Sequence, residues 1–274
     1  MHICMTYLNK GDKVLIPNPG YPTYKSAATL AGGTVVPYDL DAENDWQPRL
    51  EAIDPKGVKI MIVNYPHMPT GAKPKRETFE KLVAFAQQHR ILLVHDNPYS
   101  FIRNEEPMSL LSVPGAKAVA LELNSLSKSH NMPGWRLGAI FGAKERIAEI
   151  LRFKSNMDSG MFLPMQLAAA KALRLGDEWY TEVNRTYAER EALGYEIMRL
   201  LGCEARPGQA GLFIWGKLPD TAGDCYTFID EILEKKGVFI TPGGIFGSNG
   251  NRYIRISLCA TKETLQRVID ILKK

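Results

Sequence analysis

The chain has 274 residues, 45% of them hydrophobic and 23% charged, the profile of a globular protein rather than a disordered or fibrous one. Its net charge is only +4, with basic residues interspersed among acidic ones as at Lys73–Glu77, and no basic stripe with interleaved aromatics argues for nucleic acid. No apolar run approaches the roughly 20 residues that span a bilayer, no secretory leader opens the chain, and the four cysteines form no CxxC pair, so mostly buried, reduced thiols in a cytoplasmic protein are expected.

Residues 2–9 read as the last turns of a helix with no capping residue ahead of them, so a shortened N-terminus is expected. A strand follows at 13–17, a turn-rich stretch at Asn18–Pro22, a helix at 24–31 stopped by Gly32 and Gly33, and a strand at 34–38. Apolar runs at 59–63, 91–95 and 118–123 read as further strands, with a helix over 75–89 whose apolar side chains are Phe79, Leu82, Val83, Phe85 and Ala86. Short continuous apolar strands separated by helices predict a mostly parallel sheet sandwiched by helices. The run at 137–141 follows a short connection and is the candidate antiparallel exception. Long helical patterns then fill 144–155, 164–175 and 177–201. Beyond them, short strands (211–215, 238–241, 253–257) and helices (225–236, 261–273) predict a smaller C-terminal α+β domain. The expected division is 1–175 and 176–274.

In open α/β sheets ligands bind at the carboxyl ends of the strands. The run Asn64–Gly71 stands after the strand at 59–63, Asp96 and Tyr99 after 91–95, and Ser125, Ser127, Lys128 and Arg136 after 118–123. A lysine with a partly neutral amine can form an imine with an aldehyde. A carboxylate at the end of a buried strand can pair with a protonated ring nitrogen. A phenol three residues on can donate to a ring oxygen, and an arginine beside small hydroxyl side chains can clamp a phosphate bidentately. Each residue alone has a plainer explanation: Asp96 as a helix cap, Lys128 as a solvated amine, Arg136 as a surface ion-pair partner, Trp135 as core. Their joint occurrence at successive strand ends favours the chemical reading.

The run Ser125–Gly138 (SLSKSHNMPGWRLG) closely resembles the lysine signature of the class I/II aminotransferases, enzymes dependent on pyridoxal 5'-phosphate (PLP) with the type I fold. Asp96 and Tyr99 resemble that family's aspartate–tyrosine pair, and Pro69-Thr70-Gly71 its Pro-Thr-Gly loop. Arg252–Ser257 resembles the strand whose arginine binds the substrate α-carboxylate, here Arg255. The resemblance spans nearly the whole chain, and the lysine segment is its most specific part. It implies that Lys128 carries the cofactor and moves the proton between the substrate carbon and the cofactor. It further implies that Tyr21 stacks on the ring, where the plainer reading is a packed turn residue, and that Ser125, Ser127 and Arg136 hold the phosphate. The implied reaction moves an amino group between an L-amino acid and a 2-oxo acid, in a homodimer.

Two features depart from the family pattern. Met68 stands where an asparagine usually bonds the ring hydroxyl, and a thioether is only a weak acceptor. PLP is still expected to bind, with an altered imine pKa, Tyr99 remaining as partner and His67 standing beside it. The match also begins after the glycine-rich loop that family members use for the phosphate, and the loss of a helix N-terminus is expected to weaken binding. A lyase on the same scaffold and a catalytically impaired truncated remnant therefore stay open as alternatives.

Overall fold

The computed structural model describes residues 1–274. Helix α1 (His2–Tyr7) leads into strand β1 (Lys13–Asn18), α2 (Thr23–Leu30) and β2 (Thr34–Asp39). Then come β3 (Val58–Asn64), α3 (Arg76–His89), β4 (Leu92–Asp96), a single turn α4 (Ala116–Val119), β5 (Ala120–Ser125), a single turn α5 (Leu126–Ser129) and β6 (Gly138–Gly142). These strands form one sheet in the order β2-β1-β3-β4-β5-β6. All neighbours are parallel except β5 and β6, which pair antiparallel.

Burial explains the continuous apolar strands. In β3 and β4 side chains on both faces are covered: Ile60, Met61, Val63 and Leu93 are fully buried, as parallel sheets between helix layers require. Helix α3 lays Phe79, Leu82, Val83 and Ala86 onto the sheet and stops at Arg90, which takes a left-handed conformation at φ 56°.

The remaining helices are α6 (Lys144–Met157), α7 (Leu163–Ala172), α8 (Asp177–Leu200), α9 (Cys225–Lys236) and α10 (Lys262–Leu272). Among them lie β7 (Phe213–Lys217), β8 (Thr241–Pro242) and β9 (Tyr253–Ser257), an antiparallel sheet in the order β7-β9-β8. Helix α9 is capped by Asp224, whose side chain accepts from the backbone N–H groups of Tyr226 and Thr227, worth about 1 kcal/mol for such a cap. One buried cluster of 40 residues contains members of both sheets, from Leu15, Met61 and Leu93 to Ile214 and Ile254, together with Ile269 of α10.

Three expectations need correction. Residues 118 and 119 belong to the α4 turn, not to β5. Val238–Ile240 does not join the second sheet, where only Thr241 and Pro242 pair with β9, and Phe239 points outward, 68% exposed. Trp135 is 45% exposed rather than core. Cys4, Cys203 and Cys225 are buried and Cys259 is exposed. No helix is long and apolar enough to cross a membrane.

Candidate active site

Because β1, β3, β4 and β5 run parallel, their carboxyl ends share one edge of the sheet. The sheet order turns back between β1 and β3, the kind of switch point that opens a crevice for ligands. Tyr21 stands after β1, Met68 after β3, Asp96 at the end of β4, and Ser125 at the end of β5 with Ser127 and Lys128 in the turn that follows.

Asp96 is fixed from two sides. The Tyr24 hydroxyl donates to its Oδ2 at 2.6 Å, and the Asn64 amide donates to its backbone carbonyl at 2.7 Å. Asn64 also accepts from the Met68 N–H at 2.8 Å, so one buried amide ties the end of β4 to the loop that carries Met68. Burial pushes the Asp96 carboxyl above its ordinary value, against the opposing pull of the Tyr24 hydroxyl and the charge of His95. Tyr21 lies edge-on to Tyr24, ring centres 5.7 Å apart, and is 46% exposed.

Tyr99 is buried, packs edge-on to Phe213 at 6.2 Å, and feels the charges of Asp96 and Arg255. Its phenol is pushed up chiefly by burial, which keeps it a neutral donor. Gly211 lets the backbone pass its ring: at φ 81°, a Cβ there would lie 3.5 Å from the Tyr99 ring.

Arg255 comes from the second sheet. Strand β9 buries Ile254 and Ile256 on one face, so the alternating Arg255 points to the other. Its guanidinium lies 3.9 Å from the ring centre of Phe213 and 4.6 Å from that of Phe246, and Nη1 is 3.4 Å from the Met68 sulfur. No protein carboxylate pairs with it, and its buried Nε has no partner. Burial pulls its pKa down to about 10. A buried cation without a counter-ion is costly, so this arrangement suits an incoming anion.

Lys128 is partly buried and borders a cavity of about 500 Å³ with Ser127, Asn131, Tyr187, Leu212 and Cys259. Leu212 in its wall stands in the chain between Gly211, which passes the Tyr99 ring, and Phe213, which packs against Tyr99 and Arg255. Ser125 caps the α5 turn, accepting from the Ser127 N–H at 3.1 Å. Arg136 is exposed and donates to the Pro133 carbonyl at 2.8 Å. The structure thus gathers Asp96, Tyr99, Tyr21, Met68 and Arg255, seats Ser125, Ser127 and Lys128 on the adjoining turn, and leaves Arg136 on its own loop. His67 faces Thr70, with Nδ1 2.8 Å from the hydroxyl oxygen, and burial lowers its pKa to about 3. A larger cavity of about 760 Å³ borders Trp46, Thr70, Gly71 and Trp215 and touches none of the expected site residues.

Tyr24 escaped sequence reasoning, and Asn64 was placed at a strand end without a role. Tyr24 is the second residue of α2, three residues after Tyr21, the spacing of neighbours on one helical turn, and that spacing was the available signal. Tyr24→Phe is expected to raise the Asp96 titration midpoint by about one to two units, because a hydrogen bond to a charged group is worth about 1.5–3 kcal/mol. Carboxyl ¹³C NMR of the ligand-free protein measures it, and an unmoved midpoint would show that the hydroxyl gives the carboxylate no support.

The donor set fits a phosphorylated pyridine aldehyde. Asp96 Oδ1 and the Tyr99 hydroxyl have no protein hydrogen-bond partner, the buried guanidinium lacks an anion, and an amine stands on the adjoining turn.

A family model described as aminotransferase class I and II matches residues 1–272. An LL-diaminopimelate aminotransferase of Natranaerobius thermophilus is 39% identical over 98% of this chain and 71% of its own length. One from Aquifex aeolicus is 38% identical over 99% and 71%. Among solved structures, substrate-bound BacF from Bacillus subtilis superposes with a TM-score of 0.93 at 36% identity, covering 99% of this chain and 70% of that one. A probable N-succinyldiaminopimelate aminotransferase from Thermus thermophilus does so with 0.91 at 31%, covering 99% and 74%.

Proposed function

Since the chain belongs to the class I and II aminotransferases and is a PLP-dependent enzyme of amino-group transfer with the type I fold, we propose that the sheet edge carrying Asp96, Tyr99 and Lys128 is its active site. When bound, PLP supplies an electron-accepting ring that stabilises negative charge on the carbon bearing the amino group.

The chain's own groups divide the remaining work. Lys128 provides the amine that holds the cofactor and then, released, moves the proton at the substrate carbon. A base attached beside the reacting atoms gains from proximity as well as from its basicity. Asp96 supports a positive charge on the ring nitrogen, and Tyr99 donates to the ring oxygen. Tyr21 lies against the ring face. Ser125, Ser127 and Arg136 hold the phosphate, Arg136 exchanging its bond to the Pro133 carbonyl for one to the anion. Met68 offers the ring oxygen no donor, so Tyr99 bears that task alone, and its sulfur borders the guanidinium instead.

One observation carries the substrate reading: Arg255 is held between two aromatic rings with no protein anion to meet. It suits an α-carboxylate, and the relatives make LL-diaminopimelate the first donor to try. Arg255→Leu is expected to weaken this contact by about 2–5 kcal/mol, a loss of roughly 30-fold or more seen mainly in KM for the donor. A KM within threefold of wild type would place the carboxylate elsewhere.

The direct test is the reaction itself with added PLP, LL-diaminopimelate or other L-amino acids, and a 2-oxo acid. Formation of the acceptor's amino acid in step with loss of the donor supports the proposal. Release of ammonia in its place indicates elimination, and bound cofactor with no turnover of any amino acid indicates a remnant. The relatives favour transfer over both.

The working unit proposed is a homodimer in the cytoplasm. Helix α7 and the residue before it present Phe162, Leu163 and Leu167 to the surface, each more than 60% exposed, an apolar strip of the kind that marks protein contacts. The unpaired thiols suit a reducing compartment.

A further inference from the structure

We propose that Asn18 and Asn249 form a clamp that fixes the Arg255 guanidinium against the cofactor face, which makes Asn249 a positioning residue for amino transfer; its part in the reaction rests on the reading of Arg255 as receptor of the substrate carboxylate.

Two single 3₁₀ turns, Gly243–Phe246 and Ser248–Gly250, link β8 to β9. They lie on the carboxyl end of β1, where side-chain amides join the two segments. The Asn18 amide, at the end of β1, donates to Asp39 Oδ1 at 2.8 Å and to the Ser248 hydroxyl at 2.9 Å. Its Oδ1 accepts from the Asn249 N–H at 3.3 Å. The Asn249 amide reaches back to Asp39 Oδ1 at 3.1 Å, the Leu40 carbonyl at 3.3 Å and the Asn18 carbonyl at 3.4 Å. Asp39 Oδ1 thus receives both amides, as an acceptor with more than one lone pair can. Asn18 is buried, so its amide depends on these protein partners. Gly247 makes the close approach possible. At φ 135° and ψ 168° it occupies a backbone region essentially reserved for glycine, and a Cβ there would lie 2.1 Å from Asn18 Oδ1.

The clamp bears on Arg255 through Phe246. The Gly20 N–H donates to the Phe246 carbonyl at 2.8 Å, and Gly20 directly precedes Tyr21, which lies against the ring face in the proposed site. The Phe246 ring centre is 4.6 Å from the Arg255 guanidinium. Phe213, the other ring, stands on β7 beside β9 and belongs to the same sheet as Arg255. One wall of the receptor is therefore carried by its own sheet, and the other is bonded to the backbone beside Tyr21. The attraction between a cation and a ring face sets no single direction, so the seat of the ring decides the seat of the guanidinium. A misplacement of about 1 Å can cost about a hundredfold in rate, which gives the clamp its leverage.

The test uses cofactor-free protein labelled with ¹⁵N-arginine, the buried Arg255 Nε–H signal being identified by its loss in Arg255→Leu. That proton is expected to exchange with solvent about tenfold faster in Asn249→Ala and in Asp39→Ala, the scale of losing one or two ordinary hydrogen bonds. Asp39→Asn keeps an acceptor oxygen and is expected to stay within about threefold of wild type. With PLP added, the two alanine variants should raise donor KM about tenfold and change kcat less than about threefold. A merely structural clamp would lower the unfolding temperature and leave Arg255 exchange and donor KM in place, and that result overturns the proposal. If Asn249→Ala does not fold, Asp39→Ala decides, because Asp39 is exposed. If Arg255→Leu leaves donor KM unchanged, the receptor reading fails, and the exchange rates alone judge the clamp.

Discussion

Lys128→Ala is expected to lower kcat for amino transfer by about 10³-fold or more while the protein stays folded. On the role proposed for Lys128, the magnitude combines loss of the group that attaches the cofactor with loss of a positioned proton carrier, worth about 10²- to 10⁴-fold alone. Lys128 makes no hydrogen bond or ion pair through its amine, and its turn is secured by the Ser125 cap rather than by the lysine side chain. Stability should therefore change by no more than about 0.5 kcal/mol. Two measurements separate loss of chemistry from loss of structure: thermal unfolding, and mass spectrometry after borohydride treatment with PLP. Wild type should retain the reduced cofactor on the peptide containing Lys128, and the variant should retain none. Full activity in the variant, or a label on another lysine, would move the site.

Asp96→Asn is expected to reduce kcat/KM by roughly 10²- to 10⁴-fold, the equivalent of about 3–5 kcal/mol for removing one member of a desolvated charge pair. The substitution preserves shape and still offers the Tyr24 hydroxyl an acceptor, so the fold should be spared. What it removes, on the role proposed for Asp96, is the anion that pairs with the ring nitrogen. Asp96→Glu keeps the charge and displaces it, and should lose less. If the amide and the longer carboxylate fall equally, geometry rather than charge governs this position.

Much of the architecture was legible because both faces of the large sheet are covered. The stretches 60–63 and 91–94 carry no polar interruption to blur them, and the short connection before 137–141 announced the antiparallel turn-back. Boundaries failed where local composition is silent. Ala116–Val119 is as apolar as the strand it precedes, and only the hydrogen bonds distinguish turn from ladder. Val238–Ile240 has strand-like residues, but the partner strand β9 reaches only Thr241 and Pro242. For the site, sequence order located the residues at the strand ends but could not show who touches whom. Tyr24 reads as one more aromatic on a helix, and His95 and Glu122, whose side chains meet at 3.1 Å, read as polar members of apolar strands. Their meeting depends on the register between β4 and β5, which no single segment encodes. Trp135 misled because large aromatics are usually internal.

The two rings that flank Arg255 bear on how a substrate is received. A free arginine side chain samples many rotamers, and freezing such a chain on association typically costs about 0.5–1.5 kcal/mol. Here Phe213 and Phe246 hold the guanidinium in place before any ligand arrives. The immobilisation is completed during folding, so a carboxylate arriving at the proposed substrate site would meet a receptor already in its final pose.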